Sequence, residues 1–175
     1  MILSKKIDDV IRDVKDFPKQ GIVFKDITPV LANPELCSDI SDYLSTHLPQ
    51  DTTKIIGIES RGFLFGFQMA IKSKTPFILI RKKGKLPYKK ISLEYELEYG
   101  SCEIEIHKDS VIPGDKVVIH DDLLATGGTA AAAAKMVRSM GADIIGFSFL
   151  VELGFLNGRN VLEEYCSKIV SIVKY

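Results

Sequence analysis

Val117-Val118-Ile119-His120-Asp121-Asp122-Leu123-Leu124-Ala125-Thr126-Gly127-Gly128-Thr129 is the stretch on which the fold turns. Its apolar start predicts a buried strand over Lys116–His120. Two acids follow, and then a small-residue loop opens a helix expected over Gly127–Met140 and ended by Gly141. Each part has a physical use. Gly127 and Gly128 let the backbone curl so that successive N–H groups converge on an anion. The helix dipole adds partial positive charge at the same place. Thr126 and Thr129 contribute hydroxyls, and Ala125 completes the loop. The result suits a phosphate monoester, and Asp121 and Asp122 beside it are strong acceptors for sugar hydroxyls. A phosphate cradle next to two carboxylates fits a ribose 5-phosphate group. A Gly-Gly pair alone is an ordinary turn and two adjacent acids alone are ordinarily solvated. The information lies in the complete strand–loop–helix string.

Outward from this stretch, strands and helices alternate. Toward the N-terminus, Lys54–Glu59 predicts a short strand, Arg61–Lys72 a mostly apolar helix and Phe77–Ile80 a buried strand. Toward the C-terminus, Asp143–Val151 and Ile169–Val173 read as strands. Asn33-Pro34 is a helix cap with proline at the first helical position, and Leu36, Cys37, Ile40, Tyr43 and Leu44 continue it as an amphipathic helix. Ile7, Val10, Ile11 and Val14 recur at helical spacing, predicting an N-terminal helix ended by Phe17-Pro18-Lys19-Gln20-Gly21. Leu93–Ile106 alternates apolar and acidic residues on both sides of Gly100-Ser101, which predicts two extended segments joined at a turn. Pro113-Gly114-Asp115 is another turn. The pattern indicates an α/β fold with a largely parallel sheet flanked by helices, and such sheets bind ligands at the C-terminal ends of their strands.

Composition narrows the function. The 175 residues carry 23 Lys plus Arg and 23 Asp plus Glu, for a formal net charge of +0, and 46% are hydrophobic. A chain of this length suits a single domain, residues 1–175, able to bury roughly 70% of its unfolded surface. Neutrality disfavours a general nucleic-acid surface. No run is long and apolar enough for a membrane span, and charges interrupt the N-terminus before a signal-peptide core could form, so the expected compartment is the cytoplasm. Three scattered cysteines, Cys37, Cys102 and Cys166, read as reduced thiols. His47 and His107 are expected at the surface, and His120 in a structural role. Neither GxxxxGK[ST] nor GxGxxG occurs, which disfavours P-loop kinases and Rossmann dehydrogenases. The neutral total averages opposites. From Lys72 to Lys90 eight residues are basic and none acidic; from Glu94 to Glu105 five are acidic and none basic.

The Val117–Thr129 string resembles the phosphoribosyl-diphosphate signature of the type I phosphoribosyltransferases. Three further segments resemble the adenine-specific branch of that family. Phe17–Leu31 is similar to its base-binding segment, and Gly57-Ile58-Glu59-Ser60-Arg61-Gly62-Phe63-Leu64-Phe65-Gly66 to its diphosphate loop. Arg81-Lys82-Lys83-Gly84-Lys85-Leu86-Pro87 with Tyr95-Glu96-Leu97-Glu98-Tyr99-Gly100 is similar to its mobile catalytic loop. The resemblance implies the type I fold, with an N-terminal hood over about residues 1–33 and a mobile loop over about 80–105. It implies purine salvage: adenine and 5-phosphoribosyl 1-diphosphate give AMP and diphosphate. A phosphoribosyltransferase for xanthine or hypoxanthine is the alternative, and a ligand-sensing regulator a more distant one.

Roles follow from the same resemblance. Ala125, Thr126, Gly127, Gly128 and Thr129 hold the 5-phosphate; Asp121 and Asp122 hold the ribose and favour an oxocarbenium-like transition state. Ser60, Arg61, Arg81, Lys82 and Lys85 hold diphosphate, with Arg61 also catalytic and a cis peptide expected at Glu59–Ser60. Val23, Phe24, Lys25 and Leu123 surround adenine, Phe24 stacking on the ring. Glu98 is the acid/base residue and Tyr99 its neighbour in the loop. Magnesium is held mainly by substrate oxygens and water, with no dedicated protein site. A homodimer is implied. Lys25 stands where the family often has arginine, and Glu59 where aspartate is common.

Overall fold

A computed structural model describes residues 2–96 and 101–175. The elements run α1 (Leu3–Asp8), β1 (Arg12–Lys15), β2 (Val23–Asp26), α2 (Thr28–Leu31), α3 (Pro34–Thr46), β3 (Lys54–Ile58), α4 (Gly62–Ser73) and β4 (Phe77–Lys82). They continue with β5 (Lys90–Glu96), β6 (Ser101–His107), β7 (Lys116–Leu124), α5 (Gly128–Ser139), β8 (Asp143–Glu152), a 3-10 turn (Gly154–Leu156), α6 (Gly158–Glu163) and β9 (Ile169–Lys174). Among the described residues seven strands form the central sheet in the order β5-β6-β4-β3-β7-β8-β9. The pairs β4–β3, β3–β7, β7–β8 and β8–β9 are parallel, while β6 joins β4 and β5 antiparallel. This is the expected α/β architecture with a mostly parallel sheet.

Strand alternation explains the two cores. Ile55 packs with Ile7 of α1, Ile40 and Leu44 of α3 and Phe65 and Met69 of α4. Its neighbour Ile56 packs instead with Ala133, Met136 and Val137 of α5. Successive side chains of a strand point to opposite faces, so a strand covered by helices on both sides must be apolar throughout. The caps match their residues. The Asn33 side chain accepts the Leu36 N–H at 3.1 Å, and Pro34 sits where no amide is needed. No helix among the described residues is long and apolar enough to cross a membrane.

The N-terminus corrects one expectation. The helix stops at Asp8, and Val14 lies in β1, which pairs antiparallel with β2 in a small separate sheet. Ile7, Val10 and Ile11 do pack into one apolar cluster, but only Ile7 is in the helix, and Val14 lies outside that cluster. A local period cannot register the distant partner, Val23–Asp26, that draws the chain extended. The second correction is at β7, which continues four residues beyond His120. Its pairing with β3 ends at His120, while that with β8 continues to Leu124 opposite Glu152. Asp121–Leu124 therefore has lost its β3 neighbour, and a cleft opens where β3 has ended.

Candidate active site

The cleft lies at the C-terminal ends of β3, β4 and β7 and has a volume of about 390 Å3. It is lined by Ile58, Glu59, Ser60, Arg61, Ile80, Arg81, Lys82, Tyr95, Cys102, Ile104, Asp121, Asp122 and Thr129. A smaller hollow of about 70 Å3 adjoins it, built from Leu123–Ala130 with Asp121. Asp121 and Thr129 line both, so the two spaces meet at these residues.

The small hollow is the loop anticipated from sequence. Gly127 has φ +83°, in the left-handed region that favours glycine. A Cβ there would also lie 2.7 Å from the carbonyl oxygen of Gly158. The loop curls directly into α5, whose free N–H groups and dipole face the hollow.

The larger cleft is built from charges. Arg61 caps α4 after a cis Glu59–Ser60 peptide. Its Nε lies 2.8 Å from the buried Asp122 Oδ2, and its guanidinium is 5.4 Å from the centre of the Phe24 ring. Gly62 lets α4 begin directly against β7: a Cβ would come within 2.9 Å of Asp121 Oδ1 and of the His120 carbonyl oxygen. Burial, then the charge of Asp122, pushes the Asp121 carboxyl well above the ordinary carboxylate range. Burial also raises Asp122, against the opposing pull of Arg61.

The second guanidinium is held by Glu59. Arg81 Nε and Nη2 donate to its two oxygens at 3.2 Å each, and the Lys82 backbone N–H adds a bond of 3.0 Å. Burial raises the Glu59 carboxyl, but these donors prevail and hold it below its usual range. Arg81 Nη1 also donates to the Lys85 carbonyl at 3.1 Å. Lys82 and Lys85 are exposed; Lys82 lines the cleft and Lys85 is beyond it.

The expected base-binding residues separate. Phe24 is half-buried, edge-to-face with Phe17 at 5.2 Å and near Arg61, and Val23 is exposed. Lys25, the next residue of β2, gives its ammonium to Asp13 at 2.7 Å and to the Tyr175 ring at 3.7 Å. Leu123 lines the smaller hollow. Glu98 and Tyr99 lie outside the described residues. His47 is exposed, whereas His107 is half-buried with Nε2 unpartnered, a departure from the expected surface placement. His120 is fully buried, with Nδ1 3.1 Å from Ser148 Oγ, and burial pushes it down to about 3, so it is neutral.

Residues 26–173 match the family model described as "Phosphoribosyl transferase domain". A relative from Cytophaga hutchinsonii named adenine phosphoribosyltransferase is 49% identical over 99% of this chain and 97% of its own. The chain belongs to the adenine phosphoribosyltransferase family. A solved member from Thermoanaerobacter pseudethanolicus superimposes with a TM-score of 0.92 at 47% identity, covering 98% of this chain and 99% of that one. Another, from Trypanosoma brucei in complex with AMP, pyrophosphate and ribose-5-phosphate, has a TM-score of 0.88 at 30% identity, covering 98% and 79%.

In this adenine phosphoribosyltransferase family member, the cleft residues outside the set singled out from sequence include Tyr95 and Cys102. Tyr95 and Cys102 face each other across β5 and β6. The Tyr95 hydroxyl lies 3.2 Å from Thr129 Oγ1, and burial pushes it up to about 12, so it stays protonated. The alternation over Leu93–Ile106 puts Tyr95 on one face of a strand, but nothing local says that this face meets α5.

Proposed function

We propose that the chain transfers the phosphoribosyl group of 5-phosphoribosyl 1-diphosphate to adenine, releasing AMP and diphosphate. The observation that carries this reading is the meeting, at Asp121 and Thr129, of a glycine-loop hollow and a cleft lined by Arg61, Arg81 and Lys82. One suits a single phosphate and the other a charged leaving group, with the carboxylates between them. The Trypanosoma brucei relative was solved with the corresponding product and fragments, AMP, pyrophosphate and ribose-5-phosphate.

Ala125–Thr129 bind the 5-phosphate through backbone N–H groups and hydroxyls. Asp121 and Asp122 accept from the ribose hydroxyls and stabilise positive charge at C1′. Adenine N9 forms its bond to C1′ as the bond from C1′ to the diphosphate oxygen breaks, and the N9 proton leaves to a base. Glu98 is proposed as that base, beside Tyr99, on the strength of its place in the segment resembling the family's closing loop. Arg61 takes the leaving diphosphate, with Ser60, Arg81, Lys82 and Lys85 around it. Phe24 stacks on the purine, with Val23 and Leu123 near its edge and far face and Lys25 beside them. Residues 1–33 then form a hood and 80–105 a closing loop on one domain spanning 1–175.

Magnesium fits this site. Two cleft carboxylates with raised proton affinity, Asp122 buried and Asp121 half-buried, favour an added cation, while no group of three acid, histidine or cysteine ligands occurs among the described residues. Asp121 and Asp122 would approach it through the ribose oxygens or water, and when bound it neutralises diphosphate charge. A homodimer is proposed through α4, where Leu64, Phe67 and Ile71 form an exposed apolar stripe at helical spacing. Phe67→Asp should convert a dimer to a monomer in sedimentation. Three free cysteines accord with the cytoplasm.

The test is turnover. With phosphoribosyl diphosphate and magnesium, adenine should be converted to AMP faster than hypoxanthine, xanthine or guanine to their nucleotides. No AMP from adenine would remove the reading, and faster use of an oxopurine would reassign the base.

A further inference from the structure

The outer side of the phosphate loop rests on a small structure that itself lines neither cleft. α6 begins at Gly158, after Asn157 in a left-handed conformation at φ 55°. Gly158 packs backbone to backbone against the loop. A Cβ on Gly158 would overlap the Ala125 carbonyl oxygen and lie 2.8 Å from the Gly127 nitrogen. A Cβ on Gly127 would in turn lie 3.2 Å from the Gly158 Cα. The two segments meet at a distance that only paired glycines allow.

The next residue anchors that contact to the sheet. Arg159 donates through Nε to Glu152 Oε1 at 2.9 Å and through Nη2 to Oε2 at 2.6 Å. Its Nη1 donates to the Ile169 carbonyl at 3.2 Å. Glu152 is the last residue of β8, is buried, and stands opposite Leu124, immediately before the loop. The Leu153 N–H donates to the Leu124 carbonyl at 2.9 Å. The loop is therefore fixed to β8 at its start and backed by Gly158 at its apex. A planar two-bond fork joins those supports with a defined geometry, which a single point charge does not provide. Arg159 also holds the Glu152 carboxyl down at about 2, with Lys174 3.6 Å away, so the pair remains charged at neutral pH.

We propose that Glu152 and Arg159 are positioning residues for the 5-phosphate, acting through Gly158 on the curvature of Ala125–Thr129. This rests on the assignment of that loop to the 5-phosphate. Backbone N–H groups recognise an anion only when they converge on it, so a shift of the backing is felt at the phosphate first. Adenine, assigned above chiefly to Phe24 and Val23 of β2, should scarcely register it.

The experiment measures KM for phosphoribosyl diphosphate and for adenine, and calorimetric binding of ribose 5-phosphate, in wild type, Glu152→Gln, Arg159→Ala and Arg159→Lys. Thermal unfolding accompanies each. Arg159→Ala and Glu152→Gln should raise KM for phosphoribosyl diphosphate roughly tenfold and weaken ribose 5-phosphate equally, with KM for adenine within about twofold. Arg159→Lys should fall between, since it keeps charge but loses the fork. Wild-type ribose 5-phosphate affinity in a folded ion-pair variant, or equal rises in both KM values, overturns the proposal. Should those variants fail to fold, Gly158→Ala decides. It leaves the pair intact and drives a methyl into the loop, so unchanged ribose 5-phosphate affinity there also overturns it. If instead wild type makes no AMP from adenine, the underlying reading fails, and the calorimetry still reports on the loop.

Discussion

The two halves of the proposed site offer phosphate different means of binding. No cation lines the small hollow among the described residues; its donors are backbone amides and threonine hydroxyls set by a glycine turn and a helix start. The larger cleft has Arg61, Arg81 and Lys82, and both guanidiniums are already engaged by carboxylates, Arg61 by Asp122 and Arg81 by Glu59. The first half is shaped before any ligand arrives. The second half stores charge on internal partners, and a diphosphate must share or replace them. A fixed cradle suits the phosphate that stays on the product. A side-chain site with internal competition suits the one that must leave.

The largest effect should come from the side-chain half. Arg61→Ala removes the proposed diphosphate ligand and leaves Asp122 buried without its partner. A loss of roughly 1,000-fold in kcat/KM is expected, read by steady-state kinetics, because both a transition-state contact and a buried pair are lost. Arg61→Lys should recover only part, since lysine lacks the fork. Full activity in the lysine variant would mean that charge alone matters there.

Gly127→Ala probes the backbone half. It adds a methyl where φ is +83° and a carbonyl oxygen would be 2.7 Å away. A loss of about 100-fold in kcat/KM is expected, carried mainly by KM for phosphoribosyl diphosphate. A larger defect for adenine would break the division between the halves. Tyr95→Phe tests their junction. The Tyr95 O–H donates to Thr129 Oγ1, which leaves the threonine proton free for the phosphate. Losing one such bond is worth about 1 kcal/mol, so KM for phosphoribosyl diphosphate should rise roughly fivefold. An unchanged KM would remove Tyr95 from the cradle.

These differences also explain what could be read from sequence. The backbone half was legible because glycines, small residues and a strand–helix junction are local signals. Gly127 and Gly128 announce the turn whatever surrounds them. The cis Glu59–Ser60 peptide and the place of Arg61 came through resemblance rather than pattern. Contacts between distant segments stayed hidden. The commitment of Lys25 to Asp13 and Tyr175 depends on β1 pairing with β2, and the apolar spacing up to Val14 suggested a helix there. Tyr95 reaches Thr129 only because the β5–β6 hairpin lies over α5. Gly158 and Glu152 carry no signature, and their place behind the loop emerges only when β8 and α6 have packed.

The smallest effect concerns stability and tests whether Asp121, at the meeting point of the halves, stores unfavourable charge in the free protein. Its carboxyl binds a proton more tightly folded than unfolded, because burial and Asp122 oppose its ionisation. Folding is therefore favoured by this group at low pH. The contribution is lost as pH rises from the ordinary carboxylate range through the raised value. Asp121→Asn removes the titration while keeping an oxygen for the Asp122 N–H, which Asp121 Oδ1 accepts at 2.9 Å. The variant should lose activity but unfold at higher denaturant than wild type, by about 1 kcal/mol at neutral pH. The gap should close toward about pH 4, where wild type carries the proton as well. Urea unfolding across that range reads it directly. A gap independent of pH would mean that Asp121 does not carry this burden, and that the junction, like the cradle, is at rest without substrate.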